Sequence, residues 1–359
     1  MNSRMRRILL PGLIFQSTTI AGGYGTGREI VEYFLSLGPR PGLAAMAVST
    51  LIWSAVCAAT FVFARRFGCY DYRAFFQHLL GRPWQAFEIV YVAQLLLVLA
   101  VVAAAAGAIA GGTFGAPYAL GVGLTLGGVG LLAFLGSSAI ERFFAGWSVA
   151  LYAVWITLFV WSAVKFGGDV GQAFEASSAG GAWFGSGVRY AGYNLASAIV
   201  AMMAVRHLRS SREAVQSGLL AGVIGMAPAL LFFVAAVPHW PGIVSEVVPA
   251  SFVLDALGSK WFVVAYQIVL LGTLIETGSG MIHAVNERLA GAWQARGRDL
   301  ARWARPAVAI AALGLALGLA EFGLVDLIAR GYGTITWGWV ALYAVPVLTV
   351  GLWKLRRRS

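Results

Sequence analysis

Charge is what this chain has least of. Asp, Glu, Lys and Arg make up 11% of its 359 residues, where a soluble domain carries about a quarter. That shortage excludes a water-soluble globule of this size. Cysteine is nearly absent. Cys57 and Cys69 are the only two; they build no disulfide framework and have no metal-ligand spacing. Cys57 falls in an apolar run and reads as an inert buried thiol. There is no HExxH, no paired metal-ligand motif and no nucleophile elbow, which leaves an intramembrane enzyme without its usual machinery. Nor is there a small-x-small cleavage site ahead of a soluble domain. The first apolar stretch is too long and too ragged for a cleavable signal peptide.

What is present is apolar. Hydrophobic residues make up 59%, the mean hydropathy is +0.78, and 45 glycines and 13 tryptophans accompany them. Small residues let membrane helices approach, and Trp sits at interfaces. A helix needs about 20 apolar residues to cross the hydrocarbon core. Ten segments qualify: 8–37, 42–64, 84–111, 118–138, 141–165, 183–206, 212–237, 260–288, 306–329 and 332–354. The expectation is an all-α polytopic membrane protein, a single transmembrane domain over 1–359.

The net charge of +11 does not imply a nucleic-acid partner, because the basic residues lie in the connections rather than in one patch. With the amino terminus inside, 20 of the 26 Lys and Arg residues fall on the inner side. Arg40, Lys165, Lys260 and Arg330 fall outside, and Arg28 and Arg189 lie within spans. That asymmetry is the positive-inside pattern of ten helices with both ends cytoplasmic, as in a bacterial inner membrane.

The first span is interrupted. "IAGGYGTGREIVEYF", 20–34, carries Gly22, Gly23, Gly25 and Gly27, then Arg28, Glu29 and Glu32. Glycine costs about 1 kcal/mol against alanine within a helix, so the cluster predicts an unwound stretch near the midplane; a glycine-rich packing face is the plainer alternative. Unwound backbone at that depth survives only against protein or a water-filled cavity. Charges there are expensive and mark function by default. Arg28 and Glu32 are spaced to pair on one face, which leaves Glu29 needing a partner or a proton.

Ten spans divide into five plus five, 8–165 and 183–354, so an inverted repeat would match the first span to the sixth. The sixth, "AWFGSGVRYAGYNLASAIVAMMAVRHL", is interrupted by Gly185, Gly187 and Gly192, carries Arg189, and has its apolar run interrupted by Tyr193 and Asn194. These two spans are the ones that combine glycine clusters with an arginine. Broken helices in matching positions build the sites of many secondary transporters.

"AGGYGTGREIVEYF", "YAGYNL" in the sixth span and "ETGSGMIHAVNERL" in the eighth resemble the YkvI-like bacterial membrane proteins of the amino acid–polyamine–organocation superfamily. The resemblance implies the LeuT-type five-plus-five inverted repeat and a transport role, without an established substrate. It also implies a sodium site between the carbonyls of Ala21 and Tyr24 and the hydroxyls of Thr277 and Ser279. No mid-membrane lysine stands in the fifth span to replace that ion. Glu276 is the other coupling candidate: a carboxyl in the eighth span could take a proton, or pair with Arg28 or Arg189. No cofactor beyond sodium is expected.

In the same span His283 is expected to play a hydrogen-bonded packing role. Asp326 is expected near the outer surface, whereas Glu321 is left open between lining a pathway and that surface; Trp337 and Trp339 read as interfacial anchors. The expected activity is secondary transport of a small organic solute, such as an amino acid, bound near Arg28, Glu29, Arg189, Tyr193 and Asn194, with Glu32 and Glu276 in coupling or gating. A non-transporting receptor on the same scaffold is the alternative. Oligomeric state is unreadable.

Overall fold

A computed structural model describes residues 3–20, 22–135, 137–177, 180–294, 297, 301 and 303–357. They are mostly helical, with no strand among them. Hydrocarbon offers no partner to a free N–H or C=O, so an apolar chain satisfies its backbone within helices. Five helices are long and apolar enough to cross a membrane: Pro39–Phe67, Trp84–Phe114, Ser211–His239, Lys260–Gly291 and Gly323–Arg356. Two bent pairs bring the number to seven if each is one span: Ala150–Phe166 with Asp169–Ala176 at 80°, and Trp183–Asn194 with Ala196–His207 at 42°. Tyr118–Ala133 and Ala304–Ala320 are shorter apolar helices. This is a multi-pass membrane protein.

Glycine sets the tightest contacts. The Pro39–Phe67 and Ser211–Ala236 helices pack along Gly218 and Gly222, where a Cβ would lie 2.3 Å from the Ala58 backbone and 2.2 Å from Ser54 Oγ. The Ser54 hydroxyl donates to the Leu219 carbonyl at 2.9 Å. Trp53, buried in the same helix, donates its indole N–H to the Ala191 carbonyl at 3.0 Å.

Three boundaries differ from the sequence reading. The turn expected near 330 lies at 321–322, where Gly323 takes φ +79°. The last helix therefore starts at Gly323, and Asp326 and Arg330 belong to it, exposed and 3.4 Å apart. Arg330 thus lies on a helix, not in an outer connection. The glycines of the sixth span do not break it. Gly187 faces the Ala45 carbonyl and Gly192 faces Thr336, both within a helix that runs Trp183–Asn194. The bend comes at Leu195, just after the Tyr193–Asn194 pair. Third, Gly22–Gly25 forms one helical turn, and the described non-helical residues around it are Ile20, Thr26 and Gly27.

Candidate solute-binding cavity

The first span enters as the Ser3–Thr19 helix, breaks, and resumes as Arg28–Tyr33. Its freed carbonyls are claimed by neighbours, as a membrane interior requires. Tyr266 O–H donates to the Gly25 carbonyl at 3.0 Å, and the Ala250 N–H to the Thr26 carbonyl at 2.9 Å. Gly27 has φ +76°, and a Cβ there would meet Phe232 at 2.2 Å. Only glycine fits both conditions.

Beside this break and the Leu195 bend lies a cavity of about 640 Å³. The Trp84–Phe114 and Lys260–Gln294 helices, the last helix, and Leu151 and Tyr152 of the Ser137–Phe166 helix complete its wall. Its acidic groups are Glu29 and Glu276, and no Lys or Arg lines it among the described residues. Glu29 is 2% exposed and accepts one hydrogen bond, from Tyr193 O–H at 2.5 Å. Glu276 has no hydrogen-bond or ion-pair partner among the described residues. The Thr18, Thr19 and Thr273 hydroxyls donate to carbonyls of their own helices.

One side is shut. Tyr33 O–H donates to the Ile328 carbonyl at 2.8 Å, and Ser186 O–H to the Tyr33 carbonyl at 2.5 Å. Tyr193 stacks on Tyr332 at 4.4 Å. Beyond them Arg28 pairs with Glu32 and donates to the Val244 and Glu246 carbonyls, each at 2.9 Å. The opposite mouth is lined by the exposed Ser17, Met203 and His283. Next to that mouth Arg288 lies between the rings of Tyr72 (3.8 Å) and Tyr91 (3.4 Å) and reaches Glu88 at 3.3 Å. Burial pushes the Tyr72 hydroxyl up to about 12, so it presents a neutral ring to the guanidinium at physiological pH.

No family model and no curated protein matches the chain. Solved structures do. The crystal structure of an Eremococcus coleocola manganese transporter bound to an aromatic bis-isothiourea compound matches with TM-score 0.57 at 14% identity, covering 97% of this chain and 80% of that one. Two single-residue mutants of that transporter, one losing a histidine and one a glutamate, each match with TM-score 0.55, at 15% and 14% identity, covering 96% and 80%. The chain shares the fold of these structures. At such identities the likeness reaches no further than fold, and the YkvI-like family resemblance gains nothing from it.

Within this fold the sequence-predicted residues divide. Glu29, Tyr193, Asn194, Glu276 and Thr277 line the cavity. Arg28 and Glu32 do not; they form the closed side. Arg189 is exposed and also outside the cavity, so neither arginine reaches Glu276. It stands one turn before Tyr193, toward the end of the helix away from the cavity, and a long charged side chain carries its head to water where it can. Gly22 and Gly23 sit in the single turn, while Gly25 and Gly27 are packed against Leu270 and Phe232.

The four sodium ligands implied by the resemblance are described only in part. Ala21 lies outside the described residues. The Tyr24 carbonyl accepts the Gly27 N–H at 3.0 Å, and Ser279 is buried with its hydroxyl on the Ile275 carbonyl at 2.7 Å. Thr277 alone faces the cavity; residues two apart on a helix point to nearly opposite sides. His283 is exposed and lines the cavity rather than packing. Trp339 is not an interfacial anchor: it is buried, donating to Gln94 Oε1 at 3.2 Å, while Trp337 is exposed. Gln94, Tyr91 and Tyr332 are among the cavity residues that sequence reasoning missed. A glutamine in the run "VYVAQLLLVLAVV" was the available signal, since a polar side chain at that depth needs a reason.

Proposed function

We propose that this protein is a secondary active transporter moving a small organic solute by alternating access. Its ten spans would form two inverted five-helix repeats in a bacterial inner membrane, with both termini cytoplasmic. One observation carries the reading: a cavity at the breaks of the first and sixth spans, open at one end and sealed at the other. The open end lies on the side of the Ser3–Thr19 helix and of Ala196–His207, which the charge asymmetry assigns to the cytoplasm. The geometry is that of an inward-facing carrier.

Glu29 and Glu276 are our coupling candidates. Each could exchange a proton or balance a sodium ion as the cavity changes sides. Manganese, which the structural neighbours carry by name, is a weaker choice of cargo. No group of three His, Cys, Asp or Glu residues gathers among the described residues, and such ions take several hard ligands. The test is uptake of labelled amino acids and amines into proteoliposomes under sodium, proton or no gradient. Gradient-driven accumulation that is lost in Glu29→Gln and Glu276→Gln, with both variants monodisperse, is expected. Accumulation unchanged in both variants would remove the coupling roles. No accumulation under any gradient would favour a receptor on this scaffold.

A further inference from the structure

The cavity's polar groups are unevenly satisfied, and the pattern has a sign. Glu29 is almost wholly buried, yet one oxygen alone has a donor, Tyr193 O–H. The other has none among the described residues. Glu276 has no partner at all among them. Asn194, 7% exposed, spends its amide N–H on the Tyr190 carbonyl at 3.1 Å, and nothing donates to its Oδ1 among the described residues. Three acceptors of buried or half-buried side chains therefore face one space without donors. Unpaired acceptors cost free energy inside a protein, and unpaired carboxylates cost most.

The donors are all neutral. Gln94, 4% exposed, gives its Oε1 to the Trp339 indole N–H at 3.2 Å, and its amide N–H has no acceptor among the described residues. The hydroxyls of Ser17, Thr18, Thr19 and Thr273 already donate along their helices, while those of Tyr152, Ser197, Thr277 and Tyr332 line the cavity with no hydrogen-bond partner among the described residues and can donate or accept. The basic side chains of the region are committed elsewhere. Arg28 is held by Glu32 and two carbonyls, and Arg288 by Glu88 and two tyrosine rings. The titratable or charged groups facing the space from every wall are thus Glu29, Glu276, His283 and the tyrosines.

We infer that the cavity recognises a compact organic cation, an ammonium or amine, with Glu276 and the free oxygen of Glu29 as its counter-charge and Asn194 Oδ1 as a further acceptor. Tyr193 and Tyr332, stacked on each other in the cavity wall, supply ring surface suited to an ammonium group. Gln94 adds one donor, which fits a hydroxyl or carbonyl on the same solute. An anionic solute would face two carboxylates with no guanidinium or ammonium to receive it. This inference rests on the transport reading above, and Arg28 and Arg189, expected near the solute, take no part in it.

The test separates the two claims. Purified protein in detergent is titrated with putrescine, choline, the neutral choline isostere 3,3-dimethylbutanol, and succinate, and thermal stability is read. Putrescine or choline is expected to raise the melting temperature in a saturable way, because a ligand stabilises the state it binds. Dimethylbutanol and succinate are not. Glu276→Gln is expected to weaken the cation at least tenfold, with Glu276→Asp restoring most of it. A shift from succinate, an equal shift from dimethylbutanol, no shift from either cation, or a shift unaltered in Glu276→Gln overturns the inference. Should Glu276→Gln fail to fold, Asn194→Leu and Glu29→Gln give the same readout. Flux is measured separately in proteoliposomes. Cation binding without flux defeats the transport reading and leaves the site standing. Flux of succinate alone defeats the site and leaves the transport reading standing.

Discussion

Two residues show how local chemistry is set position by position. Glu29 is tolerable at its depth because Tyr193 donates to it. Hydrogen bonds to charged groups contribute about 1.5–3 kcal/mol, so Tyr193→Phe is expected to lower thermal stability measurably. Glu29→Gln should cost less, since its amide oxygen still accepts from Tyr193; melting of both variants in detergent decides the order. Gly27 is the second case. Its φ of +76° and the 2.2 Å approach to Phe232 act together, whereas Gly68 has φ +65° in open space. Strain at such φ costs about 1 kcal/mol or more, and overpacking adds about 1–3 kcal/mol. Gly27→Ala should therefore melt well below Gly68→Ala. Equal losses would mean that the Phe232 contact yields without cost.

Among elements, packing separates glycines that look alike in the sequence. Gly218 and Gly222 admit the facing helix to within 2.3 Å of where a Cβ would stand, while Gly127 meets nothing within 4 Å. Gly218→Ala is expected to destabilise by about 1–3 kcal/mol through overpacking. Gly127→Ala is expected to be neutral or to gain up to about 1 kcal/mol of helix propensity. Opposite shifts in a thermal assay check this. The closed side is likewise a matter of elements: Arg28 joins the resumed first helix to the 244–246 connection. Arg28→Ala is expected to loosen that seal. Ser186 is buried beneath it, so the thiol of Ser186→Cys should then become reactive toward an impermeant reagent applied outside. With Arg28 kept, the same thiol should stay unreactive.

At the scale of the whole molecule, the cavity opens to one side. Met203 is half-exposed on the cavity wall. The thiol of Met203→Cys is expected to react from the cytoplasmic face in inverted vesicles and not from the outer face. The native Cys57 and Cys69 are both buried, so unsubstituted protein supplies the blank. Labelling at 203 from the outer face alone would reverse the orientation.

Apolar runs of 20 or more residues, separated by basic connections, determined on their own that the chain is helical and membrane-embedded. Backbone in hydrocarbon has no other way to satisfy its hydrogen bonds. The glycine cluster before Arg28 likewise marked the break of the first span, because a positive φ beside a large ring admits only glycine. Direction was beyond the sequence. Whether Arg28, Arg189 or Glu276 faced the cavity depended on helix rotation and on neighbours far along the chain, such as the 244–246 carbonyls that hold Arg28. The sign of the cavity followed from those placements, and the two arginines expected near the solute lie elsewhere. Tertiary structure alone decided this, because a charge acts on what surrounds it in space.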